Sequence, residues 1–128
     1  MRVFLVDEAR EKGFEPNTYS QYPPTGEMLA RIDFMAWRVT TQILYFRQEG
    51  SGVRYFIPLH STPKTEGMTP YAMNALFPYL QQGDLCRLVI LQTDSGGYLL
   101  NSAEIIQQMP ICTRREQCQP SPCCVFKN

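Results

Sequence analysis

Two long runs of alternating side chains flank a glycine-rich turn in the middle of the chain, and no other feature limits the fold as strongly. Beginning near Ile32, the residues Met35, Trp37, Val39, Thr41, Ile43 and Tyr45 alternate with Ala36, Arg38, Thr40 and Gln42, which is the period of a half-buried strand. Gln48-Glu49-Gly50-Ser51-Gly52 permits a reversal, after which Val53, Tyr55, Ile57 and Leu59 alternate with Arg54, Phe56, Pro58 and His60. The pattern predicts a β-hairpin over about residues 33–60. Pro58 has no backbone N–H to donate, so the second strand is expected at a sheet edge, at least at its far end.

The flanking segments complete the outline. Residues 3–6 are apolar and predict a short buried strand; residues 7–12 suit a helix that Gly13 can stop. Residues 16–26, with Tyr19, Tyr22 and Pro23-Pro24, carry no period and predict an irregular loop. Thr69-Pro70 reads as an N-cap followed by proline at the first helical position. Ala72, Met73, Leu76, Phe77 and Leu80 then recur at helical spacing. The helix over about residues 70–82 should be kinked by Pro78, which removes one ladder bond. A strand over 85–93, a turn at 94–97 and a returning strand at 98–100 follow. Asn101 with Glu104 marks the start of a short C-terminal helix bearing Ile105, Ile106 and Met109. The expected class is α+β, a mostly antiparallel sheet with the helices on one face. Residues 1–111 would form one domain and residues 112–128 a tail rich in Cys, Pro and Gln.

Length and charge narrow the function. At 128 residues with twelve basic and twelve acidic side chains, the chain is a single neutral domain rather than a general polyanion coat. No stretch approaches the length of a membrane helix, so no membrane partner is expected. Five cysteines, an odd number, and no leader-like start predict a reducing, cytoplasmic setting. The neutrality is nevertheless uneven. Residues 31–64 carry a net +3 and residues 112–128 a net +2, separated by acidic segments.

Catalysis is not the expected activity. The chain has one histidine, His60, and lacks a Gly-x-Ser-x-Gly elbow. Gly50-Ser51-Gly52 joins two strands, whereas phosphate cradles join a strand to a helix. If helices cover the Trp37, Val39, Ile43 and Tyr45 side of the hairpin, the other side presents Leu44, Phe46 and Phe56 ringed by Arg38, Arg47 and Arg54; the alternative is that both faces are covered, since these three are large apolar side chains. Aromatics and arginine in a polar rim describe a protein–protein surface, which Tyr19 and Tyr22 could extend. An edge strand could also pair with a second copy. The leading expectation is therefore a small accessory protein that binds a protein partner, or itself, through this hairpin face. The alternative is single-stranded nucleic acid gripped by the same arginines and aromatics, with Arg114 and Arg115 helping. A third is a small enzyme or ligand-binding protein with a pocket near His60. Cys112, Cys118, Cys123 and Cys124 are candidate zinc thiolates, but only Cys118-x4-Cys123 approaches the spacing of a zinc knuckle, and no cofactor is expected.

Overall fold

A computed structural model describes residues 3–59, 68–70, 73, 75 and 80–109. In chain order these form β1 (Val3–Leu5), α1 (Val6–Glu11), a 3-10 turn (Pro16–Thr18), β2 (Gly26–Arg38), β3 (Thr41–Gln48), β4 (Arg54–Pro58), β5 (Leu85–Gln92) and β6 (Tyr98–Gln107). The strands make one sheet in the order β4-β3-β2-β5-β6. β1 runs parallel to the far half of β2, pairing Val3 with Met35 and Leu5 with Trp37, while β5 occupies the near half. All other pairings are antiparallel. β4 and β6, at opposite ends of that order, touch, so the sheet curls round its own interior. The described part is mostly β, with one short helix and a 3-10 turn, and is α+β-like in that sense.

Both faces of β2 and β3 are buried, and a single irregularity governs which side chain goes where. Inside the curl, Met28, Ala30, Ile32, Met35, Leu44, Phe46, Ile57, Leu88, Ile90 and Leu100 form the larger core, closed by Met68, Met73 and Leu80. On the outer face, Phe34, Ala36, Ile43 and Tyr45 form a second core beneath Ala9 and Tyr19, with Phe4, Val6, Phe14 and Phe56 against it. Ile32 opposes Phe46 and Phe34 opposes Tyr45, which leaves Asp33 as the extra residue of a β-bulge. The inward set therefore changes from even positions before the bulge to odd ones after it.

The expected hairpin over 33–60 is thus three strands rather than two. β2 and β3 are joined by a two-residue turn at Val39 and Thr40, with Arg38 opposite Thr41. Val39 holds φ at 56°, in the left-handed region that β-branched residues avoid, and is 91% exposed. A turn built from Val-Thr carries none of the usual Gly, Asn or Asp signals, so the two strands read as one. The β3–β4 register, with Tyr45 opposite Phe56 and Phe46 opposite Tyr55, also decides which residues share a face. Leu44 and Phe46 lie fully buried in the inner core, not on a solvent-facing side, and Phe56 is half-buried on the opposite face.

The short C-terminal helix is also replaced. Residues 98–107 are β6, pairing Leu88 with Ala103, Arg87 with Glu104 and Cys86 with Ile105. Ala103 and Ile105 pack on the inner core from this strand, an alternation that the adjacent Ile105-Ile106 pair conceals. Pro70, Met73 and Ala75 are helical, and Met73 N donates to Thr69 O. The kink expected at Pro78, like the 112–128 tail and His60, lies outside the described residues.

Candidate ligand-binding cleft

The bulge that sets the strand phase also places a carboxylate where an apolar side chain would be expected. Asp33 follows Ile32 and precedes Phe34 and Met35, and is 5% exposed. A buried carboxylate needs partners, because loss of its hydration costs several kcal/mol. Tyr19 Oη donates to Asp33 Oδ2 at 2.8 Å, and Arg47 Nε donates to Oδ1 at 2.9 Å. Burial first, and the bond to Asp33 second, push the Tyr19 phenol well above its ordinary pKa. Tyr19 is therefore a fixed proton donor rather than a base.

Arg54 completes the group from the neighbouring strand. It sits directly opposite Arg47 in the β3–β4 ladder, so both side chains share the outer face. Its Nη1 donates to Thr18 Oγ1 at 2.8 Å and meets Glu15 Oε1 at 3.4 Å, and its guanidinium lies 5.4 Å from the centre of the Tyr19 ring. Arg47, Arg54, Asp33, Tyr19 and Glu15 line a cleft of about 300 Å³ between the sheet and the turn after α1. A second cleft of about 210 Å³ adjoins it, walled by Phe4, Phe14, Phe34 and Leu80. The two share Phe14, Asp33 and Gln82.

An aromatic stack holds the floor. Phe34 lies flat on Tyr45, with centroids 4.3 Å apart and 7° between planes, and Phe14 stacks on Phe34 at 4.4 Å. Tyr19 meets Tyr45 edge-on at 5.2 Å. Tyr45 Oη is buried and makes no hydrogen bond among the described residues, and burial raises its pKa.

The residues singled out from sequence therefore separate. Tyr19, Arg47 and Arg54 converge on one cleft. Arg38 is exposed, its guanidinium 5.8 Å from the centre of the Phe56 ring. Tyr22 is 64% exposed and meets Tyr98 at 6.4 Å, beside Phe56 and Pro58 in a separate hollow of about 380 Å³. Phe46 takes no part in either, being buried in the inner core. Asp33, Glu15 and Phe14 were not anticipated. The signal for Asp33 in the sequence is a charged residue inside an apolar run.

Other chemistry-bearing groups serve the fold. Asp84 is fully buried and binds two backbone N–H groups, of Met109 at 2.7 Å and Gln81 at 3.0 Å. Cys86 is buried in the inner core, and burial with the nearby Asp84 pushes its thiol up to about 12, away from any reactive thiolate. Among the described residues no group of three or more His, Cys, Asp or Glu side chains is placed to hold a metal ion, and the four tail thiols lie outside them. No described helix is long and apolar enough to cross a membrane. Compared with known proteins, the chain matches no family model, no curated protein and no solved structure.

Proposed function

We propose that this chain is a non-catalytic binding protein whose β3–β4 face holds an anionic group between Arg47 and Arg54. One observation carries the proposal. The two arginines are direct cross-strand partners, a like-charge pairing that destabilises a sheet unless something compensates it. Asp33 engages only the Nε edge of Arg47, and Glu15 is an exposed, long contact to Arg54 that a ligand can displace. Both guanidinium groups line the cleft, and each carries further N–H donors in the fork geometry that suits an oxyanion. The fixed tyrosine and the buried thiol favour binding over chemistry.

Stacking on nucleic-acid bases draws little support from this face. Phe34, Tyr45 and Tyr19 are buried within their own stack and offer no free ring surface. A protein-partner surface retains one specific observation, the exposed Tyr22, which meets Tyr98 and shares a hollow with Phe56. It predicts concentration-dependent mass in light scattering, or a saturable partner, that Tyr22→Ser removes; monomeric, Tyr22-independent behaviour argues against it.

The anion reading is tested by NMR titration with sodium acetate against sodium chloride at matched ionic strength. Saturable shifts should cluster on Tyr19, Arg47 and Arg54, and Arg54→Gln should weaken them about tenfold, the loss of one charge-assisted bond. Shifts that are unsaturable, or unchanged in that variant, refute it.

A further inference from the structure

We infer that the ligand is a small monocarboxylate with a compact apolar body, its carboxylate between Arg47 and Arg54 and its body in the Phe4–Phe14–Phe34–Leu80 cleft. The inference rests on the anion-binding reading above and names the chemistry of what is bound.

Three observations carry it. The first is adjacency. The polar and apolar clefts share Phe14, Asp33 and Gln82, so a head group at the arginines has an apolar space next to it. The second is charge. Two arginines face one buried carboxylate and one exposed one, a formal balance of zero, which a single negative charge replacing Glu15 at Arg54 preserves. A phosphate dianion would leave the cleft overcharged beside Asp33. Asp33 is held in place by Tyr19 Oη on one oxygen and Arg47 Nε on the other.

The third is size and shape. The apolar cleft measures about 210 Å³, and a dry cavity of roughly 150 Å³ suffices for benzene. Its wall includes the Phe14–Phe34 stack, two rings inclined by 28°, which suits a flat ring or a short branched alkyl group. A long chain would leave the cleft and meet water. Asp33 fixes the plane of Arg47 through the Nε bond, so the head-group site is formed before the ligand arrives.

The experiment is calorimetric titration of the full chain with sodium phenylacetate, sodium acetate and neutral phenylacetamide. Phenylacetate should bind about thirtyfold more tightly than acetate, the effect of removing roughly 80 Å² of ring surface from water. Phenylacetamide should bind at least about tenfold more weakly than phenylacetate. Phe4→Ala, at a half-buried residue that walls the apolar cleft and not the polar one, should weaken phenylacetate about tenfold and leave acetate within about threefold, since it removes contact with the ring alone. Phenylacetate and acetate of equal affinity, both weakened by Arg54→Gln, would overturn the apolar body and leave the anion site standing. Phenylacetate and phenylacetamide of equal affinity, both indifferent to Arg54→Gln, would overturn the anion site and this inference with it. Absence of heat from all three at millimolar concentration overturns both.

Discussion

Two tyrosines stand in ring contact on the outer face, and their hydroxyls should have opposite effects on stability. Tyr19 Oη donates to the buried Asp33 at 2.8 Å, whereas the Oη of Tyr45 makes no hydrogen bond among the described residues. Tyr19→Phe removes a hydrogen bond to a charged acceptor, worth about 1.5–3 kcal/mol, and leaves one carboxylate oxygen desolvated without a donor. Arg47 still holds the other oxygen, so the expected loss is about 2 kcal/mol. Tyr45→Phe removes a desolvated hydroxyl that forms no hydrogen bond among the described residues and keeps the flat stack on Phe34. Relief of the unpaired group outweighs the small void, and the expected change is a gain of about 0.5 kcal/mol. For 128 residues, an unfolding entropy of about 2.1 cal/mol/K per residue makes 1 kcal/mol worth roughly 4 °C. The two variants should therefore differ in Tm by about 9 °C. Urea unfolding followed by far-UV circular dichroism gives the same comparison in free energy, provided the m-values agree. Equal losses from the two substitutions, or a loss above about 1 kcal/mol from Tyr45→Phe, would refute the assignment of the Asp33 partner.

Gly83 holds φ at +92°, and a Cβ there would come within 3.2 Å of Met109 Cγ. Gly83→Ala should cost about 1–2 kcal/mol, read as a lowered urea midpoint at constant m; an unchanged midpoint contradicts the turn geometry. The thiol of Cys86 is raised by burial from its ordinary 9.0 to about 12. Between these pH values the unfolded chain releases this proton and the folded chain keeps it. The stabilisation from the neutral thiol is therefore complete below about pH 9 and declines as pH rises toward 12, by at most about 1.4 kcal/mol per pH unit. Cys86→Ala should lower stability at neutral pH yet flatten that alkaline decline, and parallel pH profiles would refute it.

What could be read from the sequence was the part fixed by local periodicity. The mostly antiparallel sheet and the short helix after residue 5 follow from patterns a few residues long, and β4 lies at the end of the sheet order. The turn at Val39-Thr40 escaped because tertiary packing holds a β-branched residue in a conformation it disfavours alone. β6 escaped because Asn101 to Gln107 satisfies a helix start and a strand about equally, and pairing with β5, including the Arg87–Glu104 bridge at 2.6 Å, decides between them. The site was legible one residue at a time. Tyr19, Arg47 and Arg54 were identifiable as polar or aromatic candidates, but their convergence depends on Asp33, and the burial of Phe46 depends on the sheet curling over its inner face. The grouping of Phe56 with Phe46 is an error of phase. With a side-chain period of two, one unrecognised turn or bulge moves every later residue to the other face.

The bulge at Asp33 makes the scaffold and the cleft separable. Remove that one residue and Ile32, Phe34, Met35 and Ala36 fall into unbroken alternation, each facing the side it already faces. The strand is complete without its carboxylate. Asp33 is in this sense an insertion into a regular ladder, one codon that turns an ordinary packed surface into a polar socket, and its deletion should erase the socket while leaving the inside-out pattern of both cores intact.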